Sequence, residues 1–451
     1  MGVCISYRSA NVHQAVLGGV SPKKRPRLNN LRSFVNSFHM GQSLNIAVAG
    51  CGIGGLAAAS LLRDQGHSVT IFDKYDTPRA TGPGLIIQPP GQQVLKRIGI
   101  FAEAVANGAK VTAIEGKAAD GVTDVLSVDY AHLDDGSFGL ALHRSALFDL
   151  LMKAALARNV DVQAKSLVLD TINVDGVYLR IEGRRQAGPF DLVLDASGTG
   201  SGLSPLDARP SPHGALWTVV DLPEGADLGG IFRTRFRDAQ EGAGVLPIGM
   251  VPGDAKPKAA IFWNMTEAEF RRFREDDIED WKARAVALWP DLEYFLHGIS
   301  THEELTYSGY AHGALYRMHG ANIAYIGDSA HQASPPLGQG GTHALLDAAV
   351  LADALETKAR IPAALRSYSR RRFLHVRGYQ AISRLLTPLY QSRWRFPAVV
   401  RDRVVAPLMR IPRLAPISAR ILSCQILMPF GRWRDGDKSE PEAMPLHGPG
   451  E

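Results

Sequence analysis

The fold of this chain is decided by residues 44–55, which read LNIAVAGCGIGG. The apolar run Leu44–Ala49 has no helical period and predicts a buried strand. The glycines that follow predict a tight turn into an Ala- and Leu-rich helix over Gly54–Gln65. A second strand is predicted over Ser68–Asp73. Together they form a βαβ unit of about 30 residues, the context that a phosphate-binding glycine turn requires.

The residues of this turn suit the approach of a diphosphate. Gly50 permits the tight turn, Gly52 lets the diphosphate reach the backbone, and Gly55 lets helix and strand pack closely. The helix opens at Ile53 and Gly54, where N–H groups and the positive end of the helix dipole attract negative charge. We therefore expect all five residues to contact a cofactor.

The second predicted strand ends in an acid. Asp73 lies about 20 residues beyond the glycines, where a carboxylate can accept both hydroxyls of an adenosine ribose. Lys74 follows it directly and is assigned to the same end of the site. Because strand, helix and acid agree, a tight turn that binds nothing is the weaker interpretation.

A second glycine-rich block stands far along the chain. The predicted strand Ile323–Ile326 leads into Gly327-Asp328, and a helix is predicted over Thr342–Glu356. Between them residues 333–341 read ASPPLGQGG, in which stiff prolines and bare glycines suit the approach of a flat ring. Two such sites, far apart in the sequence, point to one extended cofactor held from both ends. That cofactor is FAD.

Strands predicted between the two blocks define the organisation of the chain. They cover Leu216–Asp221, Ile231–Phe236, Val245–Val251 and Ala259–Trp263, and a helical stretch follows over Glu267–Leu288. The predicted fold class is α/β: a Rossmann-like FAD-binding domain, an inserted, mainly antiparallel β-sheet for the substrate, and a helical C-terminal segment. The predicted boundaries are a basic leader (1–43, disordered or not native), the first part of the FAD-binding domain (44–200), the antiparallel layer (201–310), the return of the FAD-binding domain (311–356), a basic helical tail (357–434) and a disordered end (435–451).

The composition narrows the class of protein. The chain has 451 residues, of which 45% are hydrophobic, so two structural regions are expected. Its cysteines, Cys4, Cys51 and Cys424, have no metal-like spacing, which argues against a disulfide framework or a zinc site. A reducing cytoplasm is the compartment they favour. No run of about 20 predominantly apolar residues predicts a membrane span.

The leader and the tail are both basic, and each permits more than one interpretation. Residues 1–43 contain short matches to myristoylation, nuclear and transit signals, and we favour a start at Met40 or a disordered leader over any of them. Between 357 and 434 there are 17 Lys and Arg against one acid, Asp402. We predict no nucleic-acid partner. The tail is interpreted first as a cap on the core or a homodimer contact, and second as a peripheral contact with an anionic membrane. It is predicted to be divided into short helices by the prolines at 388, 397, 407, 412, 416 and 429.

The motifs resemble those of the FAD-dependent aromatic hydroxylases, single-component flavin monooxygenases such as para-hydroxybenzoate and salicylate hydroxylase. The resemblance covers roughly Asn45 to Gln380. It rests on the first turn with Asp73, on residues 82–87 (GPGLII), on His143-Arg144, and on the block from Gly327 to Asp347. The last of these is the most specific.

The resemblance implies a set of cofactor contacts near the ring of FAD. Gly84 belongs to a loop near the flavin, and Arg144 opens a helix and contacts the cofactor. Gly327 and Asp328 bind the ribityl chain, and Pro335 lies against the isoalloxazine. The glycines after it and the start of the helix meet the pyrimidine edge of the ring: Gly338, Gly340, Gly341 and Thr342.

The resemblance also implies a reaction. NAD(P)H, acting as a transient reductant, reduces the flavin, dioxygen gives a flavin hydroperoxide, and an aromatic or other electron-rich small molecule is hydroxylated. No catalytic side chain is assigned. The family has an aspartate and an arginine where this chain has Ser197 and Ser204, in a segment tied to flavin and NAD(P)H binding. Alternatives are therefore a separate reductase as electron source, an FAD-dependent epoxidase or reductase acting on a lipophilic substrate, or a flavin-binding sensor without turnover.

Overall fold

The computed structural model describes residues 43–79, 82, 84–223, 225–226, 228–333 and 338–429. Three predictions fall on other residues: the basic leader apart from residue 43, the ring contact of Pro335, and the disordered end 435–451.

The strands of the described residues are numbered here in chain order. They are β1 (Asn45–Ala49), β2 (Ser68–Phe72), β3 (Gly84–Ile87), β4 (Ala109–Val111), β5 (Ala113–Ala118), β6 (Asp124–Asp129), β7 (Gly139–His143), β8 (Asp161–Gln163), β9 (Val168–Val174), β10 (Gly176–Ile181), β11 (Arg185–Phe190), β12 (Leu192–Asp195), β13 (Arg209–Asp221), β14 (Ile231–Arg237), β15 (Glu241–Met250), β16 (Pro257–Thr266), β17 (Thr306–Ala314), β18 (Ile323–Tyr325) and β19 (His331–Gln332).

The α-helices of the described residues are numbered in the same way. They are α1 (Ile53–Asp64), α2 (Pro89–Ile98), α3 (Phe101–Asn107), α4 (Arg144–Ala157), α5 (Glu267–Phe273), α6 (Ile278–Leu288), α7 (Glu293–Leu296), α8 (Gly340–Thr357), α9 (Ile361–Tyr390), α10 (Arg395–Val400), α11 (Ala406–Met409) and α12 (Ala415–Leu422).

A five-stranded parallel sheet carries the first glycine turn. Its order is β18-β12-β1-β2-β8, so β1 is central and the return strand β18 closes one edge. Alternate residues of β1 enter two cores. Ile46 and Val48 pack with α1, α4 and α8, whereas Ala47 and Ala49 pack with the small sheet β9-β10-β11 on the other face. The predicted βαβ unit and return strand are confirmed.

A larger sheet has the order β19-β17-β13-β16-β15-β14-β5-β6. Its neighbouring pairs are antiparallel except that β14 and β5 run parallel. The four strands predicted from 216 to 263 are confirmed and are longer than predicted. The sheet also takes β5 and β6 from before residue 201, and the domain boundaries themselves stay a prediction.

The two faces of the large sheet have different neighbours. Leu216 and Trp263 belong to a core with α5, α6 and α7. The side chains that alternate with these along the strands point to the other face of the sheet. They include Leu246, Ile248 and Ala260, and they pack with β3, with the turn Tyr130–Leu133 and with α12. This second face therefore turns toward the glycine-rich loops.

The loop near the flavin that the resemblance implies for Gly84 is in part a strand. Gly84–Ile87 is a strand that pairs with β7, and β7 pairs with β4. The helix α2 then begins at Pro89, with two prolines in its first turn. A proline at the start of a helix lacks only an N–H that has no intrahelical partner there, so this Pro-rich stretch starts a helix.

The tail differs from its prediction in two respects. It begins with the 30-residue helix α9, which contains Pro388 near its end. The π-helical turn Arg401–Val405 joins α10 directly to α11, so Pro397 and Pro407 lie within one helical stretch and do not divide it, whereas Pro412 does lie between α11 and α12. A proline removes a hydrogen bond to the residue four positions earlier, and near a helix end that loss is small enough to be tolerated. No helix of the described part of the chain is long and apolar enough to cross a membrane.

Candidate flavin site

Two glycines of the first turn are enforced by contact with backbone. Gly50 has a φ of +105°, and a Cβ there would lie 2.4 Å from the carbonyl oxygen of Ala196. A Cβ on Gly55 would lie 2.2 Å from the carbonyl oxygen of Gly50. Both distances are too short for non-bonded atoms, so the turn closes tightly against β12 only with glycine at these positions.

The other glycines of the turn have different surroundings. Gly52 is the N-cap of α1 and is exposed, and a Cβ added to it would lie 4.0 Å from the carbonyl oxygen of Ala196. No side chain caps the N-terminus of α1. Its first N–H groups and the positive end of its dipole are therefore open beside Gly52 and the half-buried Ile53. At Gly54, by contrast, an added Cβ would lie 3.4 Å from the Cβ of Ala344 in α8. The turn thus offers an anion site on one side and contacts the second block on the other.

Asp73 is tied to the first turn from the end of β2. Its carboxylate accepts hydrogen bonds from the backbone N–H groups of Cys51, at 2.8 Å, and Tyr75, at 2.9 Å. The residue is 8% exposed. A carboxylate has about four lone-pair directions, so both oxygens keep capacity for ribose hydroxyls. Lys74 is exposed, with its ammonium 5.0 Å from the centre of the Tyr75 ring.

The second block is a turn in which Gly327 has a φ of +63°. Asp328 follows it and is exposed. Desolvation raises the pKa of the Asp328 carboxyl, while the charges of His331 and Arg144 oppose that rise. Arg144 opens α4 and lies under the loop at Gly82, whose added Cβ would be 3.2 Å from the Arg144 Cδ. The structure therefore brings Gly82, Arg144 and Asp328 together.

The predicted ring end is built from β3 and the start of α8. An added Cβ on Gly84 would lie 2.7 Å from Cγ2 of Ile248 in the large sheet, so this glycine is required by packing between the two sheets. Gly341 packs on Ile87, because a Cβ added to Gly341 would lie 3.1 Å from Cδ1 of Ile87. Thr342 is fully buried, and its hydroxyl accepts a hydrogen bond from the N–H of Gln88. By contrast, Gly338 and Gly340 have no neighbour within 4 Å of an added Cβ.

A buried ionic cluster behind this turn was missed by the sequence analysis. Asp347 Oδ2 accepts from the Gly327 N–H at 2.8 Å and lies 2.7 Å from His331 Nε2. Its Oδ1 lies 2.6 Å from Nε of Arg372, and both side chains are fully buried. The Arg372 guanidinium also contacts Nδ1 of His343 and of His375. The cluster anchors the Gly327 turn to α8 and α9.

Burial and the positive charge of Arg372 shift the pKa values of the other groups in this cluster. Desolvation, and then the charge of Arg372, lower the pKa of His375 to about 3. Desolvation, and then His375 and Arg372, lower the pKa of His343 well below its ordinary value. Burial alone would raise the pKa of Asp347, but His331 and Arg372 bring it below the ordinary range. No sequence motif marked this cluster, although Arg372 was counted among the bases of the tail.

Ser197 and Ser204 have structural partners. Ser197 Oγ donates to Oδ1 of the fully buried Asp195, and Ser201 Oγ donates to its Oδ2 at 2.6 Å. Ser204 Oγ donates to the carbonyl of Ser329, next to Asp328. The segment that departs from the family pattern therefore links β12 to the second glycine turn.

An aromatic wall, defined as Trp217, Phe232, Phe262 and Tyr310, stands on the face of the large sheet that turns toward the loops. The rings of Trp217 and Phe262 are 5.2 Å apart and those of Phe232 and Phe262 are 5.8 Å apart. All four residues are half-buried. The Trp217 indole donates a hydrogen bond to the Tyr310 hydroxyl, whose pKa is raised by burial.

Comparisons with known proteins agree with this geometry. Residues 43–189 match the family described as FAD binding domain. YetM of Bacillus subtilis (strain 168), provisionally named an FAD-dependent monooxygenase, is 27% identical over 341 residues, which are 73% of this chain and 89% of YetM. Aurachin C monooxygenase/isomerase of Stigmatella aurantiaca is 26% identical over 396 residues, 84% of this chain and 97% of that protein. The solved tetrameric form of 2-methyl-3-hydroxypyridine-5-carboxylic acid oxygenase gives a TM-score of 0.69 at 22% identity, covering 84% of this chain and 98% of that chain. This likeness confirms the predicted fold class.

The first turn gives a testable prediction. Gly50→Ala should abolish flavin retention, because the new Cβ must displace the backbone of residue 196. Gly136→Ala is the matched control: its φ is also positive, +70°, but nothing lies within 4 Å of an added Cβ. The control should lose only about 1 to 2 kcal/mol of stability from backbone strain. Flavin absorbance after gel filtration and thermal unfolding measure both effects. Equal flavin retention in the two variants would contradict the assignment.

The buried histidines predict a pH dependence of stability. Unfolded His375 titrates near pH 6.5, and the folded residue near 3, so between these values the unfolded chain binds the extra proton. The free energy of unfolding should therefore fall as pH is lowered from 6.5, by about 1.4 kcal/mol per pH unit for this residue. Urea titrations at several pH values in this range should show that the free energy of unfolding depends less steeply on pH in His375→Gln, by the equivalent of about one proton. The exposed His132→Gln serves as control and should keep the wild-type slope.

Proposed function

We propose that this chain, an FAD-dependent monooxygenase like the relatives that it matches, hydroxylates an electron-rich aromatic small molecule. Its co-substrates are NAD(P)H and dioxygen. The observation that carries the proposal is the aromatic wall on the sheet face that packs against β3, beside the predicted ring end of the flavin site. An aromatic ring held there would lie between the wall and the flavin.

We assign the two ends of FAD to the two glycine-rich turns. The diphosphate lies at the α1 N-terminus beside Gly52, where the open space and the helix dipole both favour an anion. The adenosine ribose meets Asp73, whose two oxygens retain lone pairs. The ribityl chain meets Asp328, and Arg144 lies beside both the loop at Gly82 and that carboxylate. The remaining contacts follow the sequence prediction.

The residues at the ring end would position the isoalloxazine and shield it. Bound FAD supplies the electron transfer and the activation of dioxygen that no side chain can supply. The N–H groups at the start of α8, around Gly340 and Gly341, present a positive helix end to the pyrimidine edge. Thr342 fixes that helix to β3 through the N–H of Gln88. Ring orientation is thus set by backbone that packing holds in place.

The aromatic wall would bind the substrate ring and exclude water from it. Ring stacking on Trp217 and Phe262 supplies apolar contact with a defined geometry. Because the Trp217 indole can only donate, the Tyr310 hydroxyl keeps its own proton for a polar group of the substrate. The solved relative acts, by its name, on a hydroxypyridine carboxylic acid, a ring that carries such a polar group. We place the reaction in the cytoplasm, where the buried thiols Cys51 and Cys424 remain reduced.

The activity itself is tested by substrate-stimulated oxidation of NAD(P)H. Purified protein with bound FAD should oxidise NADH or NADPH faster in the presence of a hydroxylated aromatic ligand, and the product should gain one oxygen atom from labelled dioxygen. Trp217→Leu should raise the KM for that ligand about fivefold, since stacking is worth roughly 1 kcal/mol. Arg233→Gln, on the opposite face of the same sheet, should leave KM unchanged. Stimulated oxidation without oxygen insertion would support the reductase alternative, and a protein with no turnover would support the sensor.

The ribityl contact is tested separately. Asp328→Asn should weaken FAD binding about tenfold or more, because an amide accepts hydroxyl hydrogen bonds less strongly than a carboxylate. Asp175→Asn changes an exposed acid far from both turns and is the control. Fluorescence titration of the FAD-free protein measures the two affinities. An unchanged affinity in Asp328→Asn would remove this residue from the site.

A further inference from the structure

The last helical stretch of the chain, residues 394–420, packs with its small residues inward. Four alanines are nearly or fully buried against the rest of the protein, with exposures of 6% or less: Ala398, Ala406, Ala415 and Ala419. A surface helix ordinarily places its large apolar residues inward and its polar residues outward. Here the sizes are reversed, and the large apolar residues face out.

We call this outward face the tail surface. It contains large apolar residues that recur every three to six positions along residues 394–420 and are all exposed. Their exposures are 74% for Phe396, 45% for Val399, 50% for Val404, 46% for Leu408, 42% for Ile411 and 48% for Ile417. Trp394, at the start of the same stretch, is 77% exposed. Single exposed apolar residues are ordinary, but a continuous row of them marks an interaction surface.

The charges around this row have one sign. Six exposed arginines flank it: Arg393, Arg395, Arg403, Arg410, Arg413 and Arg420. The one acid of the stretch, Asp402, already binds the buried Arg401 at 2.7 Å. Two of these six arginines form ion pairs with described residues: Arg395 with Asp238, and Arg410 with Asp124. The tail surface is therefore apolar along its centre and cationic at its edges.

This combination fits one occupant. In a two-fold dimer the same patch would face itself, and the arginine rows would meet like charges. An interfacial helix that binds lipid has this pattern: Trp, Phe and Leu enter the acyl boundary while Arg contacts anionic headgroups. We propose that the tail surface docks the protein on a membrane that carries anionic lipid.

Docking here would bring the membrane close to the ring end of the site. The inward residues Ala419 and Leu422 pack with Tyr130 and Ile86 of the second face of the large sheet. Gln339, at the N-terminus of α8, donates from Nε2 to the carbonyls of Ile421 and Leu422, both at 2.9 Å. One helix, α12, thus has the proposed lipid on one side and the flavin loops on the other.

Co-sedimentation of the full chain with vesicles tests this proposal. Wild-type protein should bind vesicles of phosphatidylcholine mixed with phosphatidylglycerol, bind pure phosphatidylcholine far more weakly, and dissociate at high salt. Leu408→Glu with Ile411→Glu should abolish binding. Val122→Glu with Val174→Glu, at residues 78% and 72% exposed elsewhere, is the matched control and should bind like wild type. Flavin content and circular dichroism confirm that each variant is folded.

A second variant tests the contribution of the arginines while leaving the apolar residues unchanged. Arg403→Gln, Arg413→Gln and Arg420→Gln together should weaken binding to anionic vesicles about a hundredfold. Arg184→Gln, Arg209→Gln and Arg317→Gln remove as many exposed charges elsewhere and should change it little. The proposal is wrong if wild-type protein binds neither vesicle, or if the Leu408/Ile411 variant binds as well as its control. It is also wrong if light scattering shows a dimer that this variant dissociates, since the surface would then belong to a second copy.

Discussion

The placement of the second glycine turn depends on one buried carboxylate. Asp347 fixes Gly327 through its N–H, fixes His331 through a ring nitrogen, and is neutralised by Arg372. Removing one partner of such a fully buried pair typically costs about 3 to 5 kcal/mol, because the other charge is left uncompensated. Since Asp328 follows Gly327 directly, the position of Asp328, and with it the proposed ribityl contact, depends on this ion pair. Asp347 of α8 and Arg372 of α9 thus have a role in the site, although neither residue was assigned to it.

Much of the site could be predicted because its chemistry is local. The first turn joins a strand, a helix and an acid within one βαβ unit, so Gly50, Gly55 and Asp73 were found from spacing alone. The second turn was found from its own glycines and prolines, and the family resemblance supplied the roles expected of its residues. The spatial relation of the two turns needed the structure, which shows Gly54 in contact with Ala344 of α8.

What could not be predicted depended on pairing between distant segments. Sequence alternation left open which side chains of the large sheet face the flavin loops. The structure places Trp217 on that side and Trp263 in the core with α5 and α6. Likewise, Gly84 reads as a loop glycine, yet its neighbours are Ile248 and Ala260, more than 160 residues away. Arg372 looked like one of many tail bases, because its partner Asp347 lies on another helix.

The connection between Gln339 and the carbonyls of residues 421 and 422 has a consequence for how the protein is made. The N-terminus of α8 is braced by the end of α12, 82 residues further along the chain, and Cys424 packs against the histidines behind the second turn. The five-stranded sheet also waits for β18 to close its edge. Contacts of such long sequence separation form late, after local structure. The two ends of the proposed FAD site can therefore be assembled only after these distant segments have paired, which makes cofactor loading a late step of folding.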